Sequence, residues 1–208
     1  MHKIYMFDVD GTLTPSRLKM TNEFQTFFKS WIEKNTFYLV TGSDLPKLQE
    51  QMIGLEKYAE SIFTCCGNQN WKNNNLIYDN KFKPSKELLH YLELELKYSP
   101  YKKQYGNHIE DRGCMINFSI VGRDCTQEQR NEYFSYDNQH NERKRISDAI
   151  KRQFPELDAV IGGQISIDIY PKGKDKSQIL EHIKDKFAIP FMKNIEYIFI
   201  GDRTMKGG

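Results

Sequence analysis

Asp8 and Asp10 stand two residues apart in Asp8-Val9-Asp10-Gly11-Thr12, at the end of the mostly apolar run at residues 3–9. Two carboxylates at a strand end can converge on one ligand. Leading an apolar strand straight into two like charges is costly unless a cation or a reaction uses them. One carboxylate of such a pair can attack a phosphoryl group while the other gives or takes a proton at the leaving or entering oxygen. Mg²⁺ would bridge carboxylate and phosphate oxygens, as a hard cation requires. An acidic turn with Thr12 as its local cap is the plainer alternative, and the strand context argues against it. Thr41-Gly42-Ser43 offers hydroxyls and N–H groups beside a helix start, a cradle for phosphate, although a Ser or Thr N-cap is the commoner meaning of such a triplet. Lys176 could neutralise phosphate charge, and Asp202 could supply a third carboxylate. Taken singly, these two are an exposed helix lysine and a turn aspartate.

These residues must be placed by strands and helices that the sequence also marks. The first apolar run predicts a buried strand entering a glycine loop. Thr21 is a candidate N-cap for a helix whose buried stripe is Phe24, Phe27, Phe28, Trp31 and Ile32. Residues 36–40 predict a second strand ending at Thr41-Gly42-Ser43-Asp44, and Leu45, Leu48 and Met52 a helix with Pro46 in its first turn. Strand, loop and helix in alternation are the pattern of a parallel sheet whose ligands sit at the carboxyl ends of the strands. The alternation breaks after Ile62-Phe63-Thr64, at the turn Asn73-Asn74-Asn75, where a short strand near Ile77 and a helix with Leu88, Leu89, Leu92 and Leu96 follow. Residues 114–121 and 164–170 alternate as half-exposed antiparallel strands, around a charged, helix-prone segment at 127–154 with Ile146, Ala149 and Ile150 as its thin apolar stripe. The first pattern returns with a helix carrying Ile179, Leu180, Ile183 and Phe187 and a strand at 195–200. The expectation is an α/β protein: a parallel-sheet core from residues 1–79 and 172–208, with an α+β unit inserted at 80–171.

Of the 208 residues 38% are hydrophobic, enough for an ordinary globular core. No apolar run approaches the ~18 residues of a membrane span. Thirty basic residues against 28 acidic ones give a formal charge of +2, without the concentrated basic footprint of a nucleic-acid binder. Any anionic ligand is therefore small and locally held. The N-terminus reaches its acidic pair too soon for a signal-peptide core, so a cytoplasmic location is expected. Cys65, Cys66, Cys114 and Cys125 lack zinc-knuckle spacing, and adjacent cysteines make a poor disulfide, so buried, reduced thiols are expected.

The set Phe7-Asp8-Val9-Asp10-Gly11-Thr12-Leu13-Thr14, Thr41-Gly42-Ser43-Asp44, Lys176 and Gly201-Asp202 resembles the haloacid dehalogenase (HAD) superfamily of phosphotransferases. More narrowly, the chain is similar to the eukaryotic-type phosphomannomutase family. That likeness rests on Pro15-x-Arg17, Arg112-Gly113-Cys114-Met115-Ile116-Asn117, Gly122-Arg123-Asp124-Cys125-Thr126, Glu128-x-Arg130, Gly162-Gly163-Gln164-Ile165-Ser166-Ile167-Asp168 and Gly173-x-Asp175-Lys176. It implies a HAD-like Rossmannoid core with a substrate-specificity cap as the inserted unit. Asp8 would be the phosphorylated nucleophile and Asp10 the acid/base. Asp8, the Asp10 carbonyl and Asp202 would hold Mg²⁺. Arg17, Arg112, Arg123 and Arg130 would bind the distal phosphate and sugar, Ser166 and Asp168 would orient the hexose, and Thr41, Gly42, Ser43 and Lys176 would bind the transferring phosphate. The implied reaction interconverts mannose 6-phosphate and mannose 1-phosphate with a hexose 1,6-bisphosphate activator, supplying GDP-mannose synthesis, in a homodimer formed through the cap.

Arginine's planar fork of donors suits bidentate phosphate binding, and Ser166 and Asp168 share the non-apolar strand face, so the residues support part of this independently. The sequence departs from the family at two places. Cys65-Cys66-Gly67-Asn68 stands where the family usually has a Glu-Asn-Gly turn, and the last acidic motif stops at Lys206-Gly207-Gly208 where the family continues with Asn-Asp. On that comparison either the sequence is a fragment, or its core lacks an edge. A sugar-phosphate phosphatase of the same superfamily and a non-catalytic sugar-phosphate binding protein are the alternatives.

Overall fold

The computed structural model describes residues 2–187 and 194–202. In chain order the elements are β1 (His2–Asp8), α1 (Asn22–Ile32), β2 (Thr36–Val40), α2 (Leu45–Met52), β3 (Ser61–Thr64), β4 (Gln69–Lys72), β5 (Asn75–Asp79), α3 (Lys86–Tyr98), β6 (Ile109–Asp111) and β7 (Ile116–Phe118). They continue with α4 (Gln127–His140), α5 (Glu142–Gln153), β8 (Leu157–Gly162), β9 (Ser166–Pro171), α6 (Gln178–Lys186) and β10 (Ile195–Ile200). The chain divides into two compact units, one from residues 1–79 with the segment from Lys176 onward, the other Asn80–Asp175. The turn after β9, assigned to the core by sequence, hydrogen-bonds within the second unit: the Lys172 N–H donates to the Glu156 carbonyl and the Gly173 N–H to Asp158 Oδ2.

In the first unit one sheet runs β10-β1-β2-β3-β4-β5, parallel from β10 to β3 and antiparallel beyond. β1 lies between β10 and β2 and buries both faces over its second half, as strands of parallel sheets do. Phe7, Leu39, Leu48, Met52 and Phe28 pack on one side, and Ile4, Met6, Val40, Phe63, Ile179 and Ile183 on the other. Thr21 caps α1 by accepting the Phe24 N–H. The buried stripe of α1 is narrower than its spacing predicts: Phe28 is buried, whereas Phe27, on the stripe's margin, is 58% exposed. Asn73 and Asn74 both take positive φ between β4 and β5, the left-handed pair that a two-residue hairpin demands.

The second unit is a four-stranded antiparallel sheet, β6-β7-β9-β8, with Ile116, Phe118, Ile167, Ile169 and Ala159 packed on Ile146 and Ile150 of α5. Only Ile116–Phe118 of the expected strand at 114–121 is laddered, because the chain turns at Gly113 and Gly122, both at positive φ. The segment at 127–154 is two helices, broken where Asn141 adopts φ 53° and ends α4. α4 begins in a capping box between Thr126 and Gln129.

Glu142, 4% exposed, starts α5 and accepts hydroxyl hydrogen bonds from Ser99 (2.6 Å) and Tyr133 (3.4 Å). Burial pushes its carboxyl above the usual glutamate value of 4.5, an effect that the two hydroxyls and Arg145 only partly offset. A carboxyl whose pKa is raised on folding favours the fold below its unfolded pKa, and that contribution is lost as pH climbs through the folded one. Glu142→Gln is therefore expected to melt higher than the parent chain at pH 7. The gain should vanish below about pH 4.5, the unfolded value. Melting curves of both chains across that range check it, and a variant that melts lower at pH 7 would contradict it.

Candidate active site

The parallel register brings the first group of predicted residues to one edge. Asp8 ends β1 opposite Val40, the last residue of β2, so Thr41-Gly42-Ser43 begins beside it. Phe7 pairs with Ile200 of β10, so Gly201 and Asp202 leave the sheet on the other flank. Asp8 is 8% exposed. Its Oδ1 accepts the Val9 N–H at 2.8 Å and lies 2.8 Å from Lys176 Nζ. Burial raises the Asp8 carboxyl above the ordinary aspartate range, Lys176 and the Val9 N–H pull it down, and the negative Asp202 adds to the rise. A carboxylate held this way is desolvated, oriented and beside a cation, which suits attack on an anionic phosphoryl group.

Asp10 is held by three donors. Its Oδ1 accepts the Arg17 N–H at 2.6 Å and Gln51 Nε2 at 2.9 Å, and its Oδ2 accepts the Ser43 hydroxyl at 3.4 Å. Arg17 thus meets Asp10 through its backbone, in a left-handed conformation with φ 61°. Gln51, fully buried in α2, also donates to Thr14 Oγ1 at 3.0 Å. Gln51 belongs to no motif, but a glutamine between Leu48 and Met52 on the buried side of α2 needs polar partners, and that much is readable from the sequence.

Thr41 Oγ1 accepts the Ser43 N–H at 3.0 Å, and the Cys66 and Cys65 N–H groups donate to the Thr41 and Ser43 carbonyls. Cys65, Cys66 and Gly67 all take positive φ, a costly conformation for the two cysteines. That loop meets α6 through a backbone group and a side chain: Gln178 Nε2 donates to the Cys66 carbonyl at 3.0 Å and to Asn68 Oδ1 at 3.4 Å. All four cysteines are free and buried.

Among the described residues no group of three His, Cys, Asp or Glu side chains is placed to hold a metal ion. The Asp10 carboxylate, turned to Arg17, Gln51 and Ser43, does not join such a group, so only its carbonyl can serve. Asp8 and Asp202 remain as the candidate side-chain ligands. Asp202 packs close over Gly11, where an added Cβ would lie 2.7 Å from its Oδ2. Two carboxylates and a carbonyl suit a hard divalent cation that keeps waters and completes its shell with substrate phosphate. The acidic motif beyond Asp202, including Lys206, Gly207 and Gly208, lies outside the described residues.

The second group of predicted residues occupies the polar face of the four-stranded sheet in the other unit. Glu110, Asn117 and Asp168 face one another in register across β6, β7 and β9. Asn117 Nδ2 donates to Asp168 Oδ1 at 2.6 Å. Arg123 Nη1 donates to Ser166 Oγ at 3.0 Å. Glu110 Oε2 receives Arg112 Nη2 at 2.7 Å and lies 3.3 Å from Arg123 Nε. Arg130, 9% exposed, sits near the start of α4. Glu110 and Asn117 carry no spacing signal, since their importance arises from cross-strand pairing alone.

A profile of the family described as eukaryotic phosphomannomutase matches residues 24–208. The phosphomannomutase of Dendrobium officinale is 37% identical over 220 residues, spanning 99% of this chain and 82% of that protein. The phosphomannomutase of Saccharomyces cerevisiae is 34% identical over 230 residues, with the same two coverages, 99% and 82%. Among solved structures, a haloacid dehalogenase-like hydrolase from Bacteroides thetaiotaomicron shares the fold at a TM-score of 0.59, with 12% identity, covering 91% of this chain and 78% of that one.

Proposed function

The chain belongs to the eukaryotic phosphomannomutase family, and from that premise we propose that it interconverts mannose 6-phosphate and mannose 1-phosphate through an aspartyl-phosphate on Asp8. The observation that carries this reading is the buried Asp8 carboxylate, 2.8 Å from Lys176, with Asp10 two residues on. An Asp8 oxygen attacks the phosphorus of a hexose 1,6-bisphosphate, the bond from phosphorus to the sugar oxygen breaks, and that oxygen takes a proton from Asp10. In the other half of the cycle the free hydroxyl of an incoming hexose monophosphate attacks the acyl-phosphate while Asp10 takes its proton and Asp8 leaves as carboxylate. The bisphosphate so formed, turned end for end, then gives its other phosphoryl group to Asp8. Asp10 Oδ2, which accepts the Ser43 hydroxyl at 3.4 Å, has acceptor capacity left for the sugar hydroxyl. Lys176 and the Thr41–Ser43 loop steady the transferring phosphoryl group. Mg²⁺ would be held by Asp8, Asp202 and the Asp10 carbonyl, and would supply charge neutralisation at the phosphoryl oxygens.

A mutase needs a fixed cationic seat for whichever phosphate is not reacting, and Arg17, Arg112, Arg123 and Arg130 are assigned to that phosphate and the sugar. Ser166 and Asp168 are assigned to the hexose. The inserted unit is accordingly read as the cap, and pairing of two copies through it, supply of GDP-mannose synthesis and a cytoplasmic location are part of the same proposal. Among the described residues no helix is long and apolar enough to cross a membrane.

Mannose 1-phosphate supplied with catalytic hexose bisphosphate and Mg²⁺ should convert to mannose 6-phosphate without accumulating free phosphate. Stoichiometric phosphate release would make the enzyme a phosphatase instead. Exhaustive chelation should abolish turnover and added Mg²⁺ restore it. Full activity in a chain shown by metal analysis to be metal-free would contradict the assignment of Asp8 and Asp202.

A further inference from the structure

Two arginines assigned to the distal phosphate converge on a single oxygen of a residue that has no role in the reaction described above. Glu110 Oε2 receives Arg112 through both Nε (3.3 Å) and Nη2 (2.7 Å), and lies 3.3 Å from Arg123 Nε. The two arginine side chains are only 8% and 10% exposed, that of Glu110 34%. Like charges brought this close out of water repel unless a carboxylate stands between them. The guanidinium is planar, so a bond at its Nε edge fixes the direction of its remaining donors. Arg123 is fixed a second time, at Nη1, by Ser166. Glu110 itself is held by the ladder, since it pairs with Asn117 on β7, which pairs with Asp168 on β9.

We propose that Glu110 is a positioning residue of the sugar-phosphate site, clamping Arg112 and Arg123 into one anion seat before substrate arrives. This rests on the reading that those arginines hold the non-reacting phosphate. Without the clamp, each long side chain has to be ordered at the moment of binding, against its neighbour's charge. The opposite effect is also physical: a carboxylate among arginines lowers the local positive potential, and removing it could tighten phosphate binding. The preformed seat and the lowered potential therefore predict opposite signs for the same substitution.

The test uses the full chain with Mg²⁺, comparing Glu110→Ala, Glu110→Gln, Arg112→Ala and Arg123→Ala for mannose 1-phosphate affinity by calorimetry, for KM and kcat, and for melting temperature. Glu110→Ala should weaken affinity on the order of tenfold and raise KM by a similar factor, with kcat at saturation kept within about twofold, because lost preorganisation is a binding cost. Glu110→Gln keeps an acceptor oxygen and should recover part of the loss. Unchanged or tighter binding in Glu110→Ala, while Arg112→Ala binds weakly, would overturn the clamp and leave the arginine seat standing. Full affinity in both Arg112→Ala and Arg123→Ala would instead overturn the seat and the clamp with it. Should Glu110→Ala melt well below the parent chain, Glu110→Gln decides: weaker binding at an unchanged melting temperature supports the clamp, and unchanged binding ends it.

Discussion

Asp8→Asn should abolish the phosphoryl-enzyme and lower turnover on the order of a thousandfold or more, since no other group in the site can take the nucleophile's part. The substitution is close to isosteric. The amide that replaces the carboxylate could still accept the Val9 N–H and face Lys176, which now meet Asp8 Oδ1 at 2.8 Å each. What it cannot do is attack phosphorus, because an amide oxygen is a far poorer nucleophile than a carboxylate. The folded chain should survive, because burial already disfavours the charge at this position and the amide removes that charge. Acid-quenched mass spectrometry after incubation with hexose bisphosphate measures the adduct directly. An unaltered level of acyl-phosphate on the variant would remove Asp8 from its role, and a collapsed melting temperature would remove the claim that only the chemistry was lost.

Asp137→Ala should cost about 3–5 kcal/mol of stability, the usual penalty for leaving one member of a buried ion pair alone. Asp137 Oδ2 accepts Arg143 Nε at 2.7 Å, with both side chains at or below 6% exposed. Its Oδ1 accepts the Arg143 backbone N–H, also at 2.7 Å. That second bond matters because Asn141, which ends α4 and opens α5 in the left-handed conformation, makes no side-chain cap of its own. Asp137 therefore caps α5 from the last turn of α4. Arg143 Nη1 continues the chain of contacts to the Gly163 carbonyl at 3.2 Å, in the turn between β8 and β9. Denaturant unfolding measures the loss, and a change under about 1 kcal/mol would show that the pair is incidental. The double variant Asp137→Leu with Arg143→Met should recover much of the stability, because apolar replacement of a buried pair is often neutral. Failure to recover would place the weight on the cap rather than on the charges.

The candidate chemistry and the architecture that carries it are legible in the residue order. Asp8-x-Asp10 after an apolar strand, the alternation of strands and helices, and the return of that pattern after Pro171 are local features with a period, and local periodicity survives in one dimension. The Thr21 cap and the Asn73-Asn74-Asn75 turn are local for the same reason. What the tertiary structure alone decided is which distant groups hold the site in place. Gln51 reaches Asp10 across 41 positions, Arg123 reaches Ser166 across 43, and Asn117 reaches Asp168 across 51. Sheet register sets the last of these pairings, and the packing of a helix and a loop against the strands sets the other two; both depend on which elements lie side by side, a property that spacing within any one segment does not contain. The Asp10 carboxylate illustrates the limit. Its residue type and position are readable from the sequence, but its commitment to Arg17, Gln51 and Ser43 rather than to a metal follows only from packing, because a partly buried carboxylate takes whichever donors the fold brings within reach.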